Sequence, residues 1–271
     1  MLSEITIGQY FPGRSVIHRT DPRIKLILLM SFIVFIFVTS NFVSLGLMLI
    51  SALGIVLLTK IPFQLYLKSL KAIIYIVIFT SVINLFYGQG EPLWSFGIIK
   101  VTQSGINNCI FVLVRIVSLI LLSSTLTYTT TPTDLTDALE RIMSPLKFFH
   151  VGVHEIAMMM TKALRFIPTL LEETDKIMNA QKSRGAQMDT GSFIARIKAM
   201  VPVLIPLLVS SFRRAYELAT AMECRCYQGG EGRTRMKQLT LSKTDFLCVA
   251  VSLIIFTGVI LCNIFLPATL R

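Results

Sequence analysis

Apolar residues run along this chain in long stretches, and the stretches set the first expectation. Leu26 to Thr59 is 34 residues without a charge. One membrane-crossing helix needs about 20 apolar residues, so this run predicts two helices. The polar triplet Thr39-Ser40-Asn41 is the turn between them. The first arm is short and takes Arg23 and Lys25 as snorkelling ends, with their charged heads reaching for water. Ala72 to Gly90 adds 19 charge-free residues and a third span. Val101 to Thr130 is a fourth, interrupted by Arg115 alone, and Phe246 to Leu266 is a fifth. The pattern predicts an all-α polytopic membrane protein with about five transmembrane helices.

Composition agrees. The chain is 54% hydrophobic and 15% charged, with a mean hydropathy of +0.70, far too apolar for a soluble globular domain. Charge then orients the spans. Arg14, Arg19, Arg23 and Lys25 precede the first, and Lys60, Lys68 and Lys71 lie between the second and third. The turn near Asn41 has no charge, and the stretch from Gln89 to Lys100 holds only Glu91 and Lys100. By the positive-inside rule the N-terminus and the Lys60 loop are cytoplasmic. The expected location is therefore a bacterial cell membrane, crossed several times. Met1 to Asp21 is polar, and no small-residue cleavage site follows the first apolar run, so no signal peptide is expected.

Between the fourth and fifth spans the character changes. Asp134 to Asp245 carries 28 charged side chains, 16 basic and 12 acidic, among many Leu, Ile, Met and Phe residues. Such a mixed-charge face does not suit a polyanion, and no nucleic-acid partner is expected. It reads as a helical cytoplasmic domain that stays close to the bilayer. The expected organisation is a cytoplasmic N-terminal segment over 1–23 and a four-helix transmembrane region over 24–130. A cytoplasmic coupling domain over 131–242 and a C-terminal transmembrane helix over 243–271 follow.

Local signals place the helices of that domain. Thr131-Pro132-Thr133-Asp134 is an N-cap, a proline at the first helical position and an acid three residues past the cap. Ser144-Pro145 stops this short helix. The next runs from about Val153 to Arg184, with Pro168 as a kink and Gly185 as a left-handed cap. Another covers roughly Phe193 to Cys226, with Leu204, Leu208, Phe212, Ala215, Leu218 and Met222 as its stripe and Tyr227-Gln228-Gly229-Gly230 as its end.

The two long helices end alike. "AQKSRGAQ" (Ala180 to Gln187) and "AMECRCYQ" (Ala221 to Gln228) align without gaps on Ala, Arg and Gln, and a glycine follows each arginine by seven residues, at Gly191 and Gly232. A cation near a helix C-terminus is favoured by about 0.3–1 kcal/mol, which accounts for one such arginine. A matched pair points to a duplicated socket.

Four segments in order carry a resemblance: "GQYFPGRSVIHRTDPRIKL", "TPTDLTDALERIMSPL", "KALRFIPTLLEETDKIMNAQKSRGA" and "RRAYELATAMECRCY" followed by "GRTR". Together they resemble the transmembrane T component of energy-coupling factor transporters, the EcfT/CbiQ family, over nearly the whole chain. The resemblance implies a scaffold that joins two ABC-type ATPase subunits to a membrane-embedded, substrate-binding S component. It implies that tips centred on Arg184 and Arg225, with Ser183, Gly185, Ala186, Cys224 and Cys226 around them, dock in grooves of the ATPases. In this family the second tip often reads Ala-Arg-Gly, whereas here cysteines flank Arg225. The resemblance leaves the substrate open among vitamins and cobalt or nickel ions. Guanidinium suits such a joint, because it makes planar, bidentate pairs with carboxylates and keeps its charge.

Other features bound the reading. "GGEGRTR" at Gly229 to Arg235 lacks the Gly-Lys-Ser/Thr ending of a phosphate-binding loop, so no catalytic residue, cofactor or metal is expected and ATP is a partner's ligand. The alternative is an autonomous ion-coupled secondary transporter or channel, but no Asp or Glu lies within the proposed spans. His150 and His154 are four apart, without a further ligand cluster, and read as interface residues. The five cysteines form no disulfide framework. Arg115 reads as a structural arginine inside the bundle, bonded to groups such as Asn84 or Ser81. Met158, Met159, Met160, Met178, Met200 and Met222, with Phe166, form an adaptable apolar surface, which the resemblance assigns to the S component.

Overall fold

The structure is a computed structural model, described here for residues 10–86, 92–96, 99–149, 151–186, 192–229 and 240–265. The helices are α1 (Val16–Arg19), α2 (Pro22–Val38), α3 (Phe42–Thr59), α4 (Phe63–Phe86), α5 (Gln103–Thr129), α6 (Pro132–Ile142), α7 (Val153–Ser183), α8 (Phe193–Glu223) and α9 (Lys243–Phe265). The all-α expectation holds, with one small addition. Between α4 and α5 the strands β1 (Pro92–Phe96) and β2 (Ile99–Thr102) form an antiparallel hairpin, pairing Trp94 with Val101 and Phe96 with Ile99. Among the described residues four helices are long and apolar enough to cross a membrane: α3, α4, α5 and α9. The first expected span, α2, has 17 residues, about 26 Å at ~1.5 Å per residue, slightly less than the ~30 Å hydrocarbon core.

The chain divides into two compact units, with boundaries after Ala138 and after Lys237. The first unit is the helical bundle. α5 packs on α2, α3 and α4, and α9 packs on α2 and α3. Phe32, Ile36, Met48, Val56, Leu121 and Val259 form the buried centre. Phe256 stacks on Phe35 at 4.1 Å between ring centroids and meets Phe32 edge-on at 4.8 Å.

Backbone groups with no water available must be satisfied by protein, and both ends of the α2/α3 hairpin show how. At the turn, Asn263 on α9 donates to the Val38 carbonyl at 3.2 Å, and Asn41 donates to the Cys262 carbonyl at 3.2 Å. At the opposite end Asp21 caps α2 by accepting from the Arg23 amide at 2.9 Å and pairs with the Arg23 guanidinium at 3.0 Å. Asp245 sits three residues into the start of α9 in a capping-box arrangement, with Oδ2 accepting from the Ser242 amide at 2.7 Å. Its other oxygen accepts from the Asp21 amide at 2.8 Å, so one carboxylate ties the starts of α2 and α9 together. Lys25 donates to the Thr129 carbonyl and the Thr130 hydroxyl at 3.0 and 3.3 Å, bonding α2 to the end of α5.

Close approach of α4 and α5 requires Gly105. A Cβ there would stand 2.4 Å from the Leu85 carbonyl oxygen, and backbone cannot step aside as a side chain can. Gly105→Ala is expected to lower stability by roughly 1–3 kcal/mol, the range for overpacking. Thermal unfolding of the purified protein in detergent checks this, and an unchanged midpoint would show that the helices separate without cost.

Candidate functional site: paired helix tips

The second unit holds α7 and α8, which lie side by side. Glu173 on α7 accepts from Arg214 at 2.5 Å and from the Ser210 hydroxyl, both on α8. These bonds, the Ser210 hydroxyl first and Arg214 beside it, hold the Glu173 carboxyl below the usual carboxylate range. Further along, Gln181 donates to the Pro202 carbonyl at 3.4 Å. That carbonyl is free for a local reason: its partner four residues on is Pro206, which has no amide hydrogen. As the α7 number rises from Glu173 to Gln181, the α8 number falls from Arg214 to Pro202, so the helices run antiparallel. Their C-terminal tips therefore leave the contact in opposite directions. Counting eleven residues outward from the Glu173–Arg214 pair to each arginine gives about 33 Å along the helices between the tips.

The tips share one backbone geometry. In the first, the Arg184, Gly185 and Ala186 amides donate to the Gln181, Lys182 and Gln181 carbonyls at 3.1, 3.0 and 3.0 Å. In the second, the Arg225, Cys226 and Tyr227 amides donate to the Met222, Glu223 and Met222 carbonyls at 3.1, 2.8 and 3.1 Å. The last bond of each set closes the Schellman turn that satisfies orphan carbonyls at a helix end. The turn needs one left-handed residue. It is Gly185 (φ 87°) in the first tip and Cys226 (φ 55°) in the second. The expected end at Tyr227-Gln228-Gly229-Gly230 is thus corrected: α8 stops at Glu223 and the cysteine, not a glycine, makes the turn. Gly191, Gly232 and Gln187 lie outside the described residues.

A left-handed conformation costs a residue with a Cβ about 1–2 kcal/mol. Cys226→Gly is therefore expected to tighten the second tip by about 1 kcal/mol, slowing hydrogen exchange of the Tyr227 amide about fivefold. Gly185→Ala should loosen the first by a similar amount, although an added Cβ would meet nothing within 4 Å. Equal exchange in wild type and Cys226→Gly would mean the cysteine carries no strain.

Arg184 and Arg225 are exposed, as are Ser183, Gly185, Cys224 and Cys226, with Ala186 half-buried. Among the described residues neither guanidinium has a hydrogen-bond or ion-pair partner. Two cationic ends of matched shape thus point outward, available to carboxylates on another molecule.

The apolar surface divides. Met159, Met160 and Met200 are exposed, whereas Met158, Phe166, Met178 and Met222 are half-buried. Most of the α8 stripe also faces outward: Leu204, Leu208 and Phe212 are 57%, 60% and 68% exposed, while Val203 on the opposite side is buried. Ile197, Val201, Ile205 and Tyr216 extend that face. The sequence names Leu204, Leu208 and Phe212 as the stripe of this helix, but it neither shows that this face points outward nor singles out Ile197, Val201, Ile205 and Tyr216.

Arg115 is structural in form but bonded differently from expectation. It donates to the Thr39 carbonyl at 3.2 Å, and its guanidinium lies over the Phe111 and Phe37 rings at 4.8 and 5.6 Å. Asn84 and Ser81 are not its partners. Asn84 bonds to Thr80 within α4, while Thr39 ends α2 with a carbonyl that has no amide further along the helix. His154 meets Glu140 through Nδ1 at 3.2 Å, tying α7 to α6. His150 lies outside the described residues. Among the described residues no three His, Cys, Asp or Glu side chains group as metal ligands, and all five cysteines are free.

Comparison with known proteins covers nearly all of this geometry. Residues 13–236 match the CbiQ family, described as cobalt transport protein. A protein of Ruminiclostridium cellulolyticum named energy-coupling factor transporter transmembrane protein EcfT is 52% identical over 261 residues, 96% of this chain and 98% of that protein. Proteins of the same name from Acidaminococcus fermentans and Bacillus subtilis are 49% and 46% identical, covering 94% and 96% of this chain and 96% and 98% of their own lengths.

Proposed function

Because the chain belongs to the EcfT/CbiQ family and is a transmembrane component of an energy-coupling factor transporter, we propose that it joins two ABC-type ATPase subunits to a substrate-binding S component. One observation carries this reading most directly. Arg184 and Arg225 stand on matching Schellman turns at opposite ends of an antiparallel helix pair, exposed and without partners among the described residues. Two like tips suit two like sockets, one on each ATPase. Closure of the ATPase pair on ATP would shift the tips relative to each other, and α7 and α8 would carry that shift along their length. The chain itself hydrolyses nothing and needs no cofactor or metal.

The outward face of α8, together with Met159, Met160 and Met200, supports docking of the S component. That face is a long strip of aliphatic and aromatic side chains, and methionine adapts to partners that change. The coupling domain over 131–242 and the N-terminus face the cytoplasm on this reading, supported by Arg14, Arg19, Arg23 and Lys25 before and in the first turn of α2 and by Lys60, Lys68 and Lys71 from the α3–α4 connection into the first turns of α4. Passage of a vitamin or other micronutrient follows from the S component, which holds the substrate.

The test is assembly. Expressed with two ATPases and an S component, the chain should co-purify as a membrane complex with ATP-driven uptake. ATP turnover or substrate flux by the chain alone would overturn the scaffold reading in favour of an enzyme or an autonomous carrier. Orientation is checked on the native thiols. In cells expressing the chain without the ATPases, a membrane-impermeant maleimide should label the exposed Cys224 and Cys226 in inside-out vesicles and not in intact cells.

A further inference from the structure

The bundle unit contains two neighbouring apolar hollows whose walls have two residues in common. One, about 260 Å³, lies among α1, α2, α3, α5 and α9, with Leu29, Ile55, Leu122 and Ile255 on its walls. The other, about 410 Å³, is a groove between α2 and α9 that runs from Ile24 and Val249 to Phe35 and Ile260. Leu28 and Ser252 line both. From Ile24 to Phe35 the groove follows α2 for about 16 Å, roughly half of a ~30 Å hydrocarbon core and so the depth of one leaflet. Its rim is continuous with the lipid-facing surface: Ile27, Leu253 and Ile260 are half-exposed, and the neighbouring Ile254 is 72% exposed.

Such a space does not suit water, because a buried water needs two to four polar partners. Left empty, it forfeits dispersion contacts along its whole wall. We propose that one acyl chain of a membrane phospholipid lies in the α2/α9 groove and turns past Leu28 and Ser252 into the inner hollow. The headgroup then lies at the start of α2. Lys25 lines the hollow but is committed to Thr129 and Thr130, with Asp21, Asp134 and Asp245 within electrostatic range. Arg14 and Arg19 are placed to meet a phosphate there. Both are exposed and flank Val16 and Ile17 on the wall of the hollow. Assignment to the cytoplasmic leaflet rests on the orientation proposed above, whereas occupancy of the groove does not.

The experiment counts lipid. The transporter complex, extracted in mild detergent and washed, should retain at least one phospholipid per copy of this chain by mass spectrometry of the intact assembly. Ser252→Leu and Leu28→Trp, which fill the junction of the two hollows, should each lower retention about fivefold without changing elution volume. A phospholipid with a diazirine on its acyl chain, added in vesicles of phosphatidylethanolamine and phosphatidylglycerol, should crosslink to peptides holding Leu28 and Ser252. No retained lipid in the wild type, equal retention in both variants, or a protein helix crosslinked in the groove would each overturn the proposal. Photolipid confined to one leaflet separates the two readings. Crosslinking at Leu28 and Ser252 from the outer leaflet alone would keep the acyl site and overturn the orientation.

Discussion

Arg184→Ala and Arg225→Ala are each expected to leave the protein in the membrane and sharply weaken its hold on the ATPases. Truncating one partner of a desolvated charge pair costs about 2–5 kcal/mol, much of it from the group left unpaired. At 1.4 kcal/mol per tenfold, that is about 30- to 4,000-fold in affinity. The fold should not suffer, because both side chains are exposed and neither has a partner among the described residues. Lysine should rescue only in part, since an ammonium cannot form the bidentate fork. The double variant should be worse than either, as the tips leave the helix pair in opposite directions and each has its own socket in the proposed assembly. Arg141→Ala, an exposed arginine on α6 that belongs to neither tip, is the control. The measurements are ATPase co-purified per chain and uptake per ATP hydrolysed. Wild-type values for both tip variants would reduce these arginines to ordinary helix-end cations.

The two tips differ in how openly the sequence announces them, and the difference is physical. Gly185 marks the first, because glycine adopts positive φ at little cost. The second has the same turn with Cys226 at the left-handed position. Only gapless alignment on the arginines exposes the equivalence, and a search for a terminating glycine overshoots to Gly229. Helix existence was legible throughout, since long charge-free runs and the Thr131 cap are local signals. The cap forms as expected, with the Asp134 amide donating to the Thr131 hydroxyl at 3.1 Å.

What stayed hidden depends on tertiary placement. Arg115 could be assigned to the bundle from its position in an apolar run. Its partner could not, because that partner is the carbonyl ending α2, a helix far away in sequence. The short hairpin of β1 and β2 carries no alternation long enough to read as strands. The period of α8 was readable, but the sense of its faces was not. In a helix pair each helix has one neighbour, so an apolar strip that looks like core can be left for another molecule.

Asp245→Ala should be the most damaging single change to the bundle, and no sequence motif advertises it beyond a capping box. The side chain is 1% exposed. Its two oxygens accept from the Asp21 and Ser242 amides at 2.8 and 2.7 Å. Removing them strands two donors, at about 1–3 kcal/mol for each that stays buried. Asp21 is 5% exposed, so its amide bears most of that cost, while exposed Ser242 recovers some bonding from water. The loss also reaches beyond one bond, because the same carboxylate joins the starts of α2 and α9, which lie far apart in the chain. The expected total is about 2–5 kcal/mol, enough to unfold a marginal membrane bundle. Asp245→Asn should be milder, because its one carbonyl oxygen can still accept from one of the two amides while its NH2 opposes the other. Thermal unfolding in detergent should rank wild type above Asn and Asn above Ala, with Arg184→Ala indistinguishable from wild type. An Ala variant as stable as wild type would mean that water enters this junction and replaces the carboxylate, and that the starts of α2 and α9 are held together by apolar packing alone.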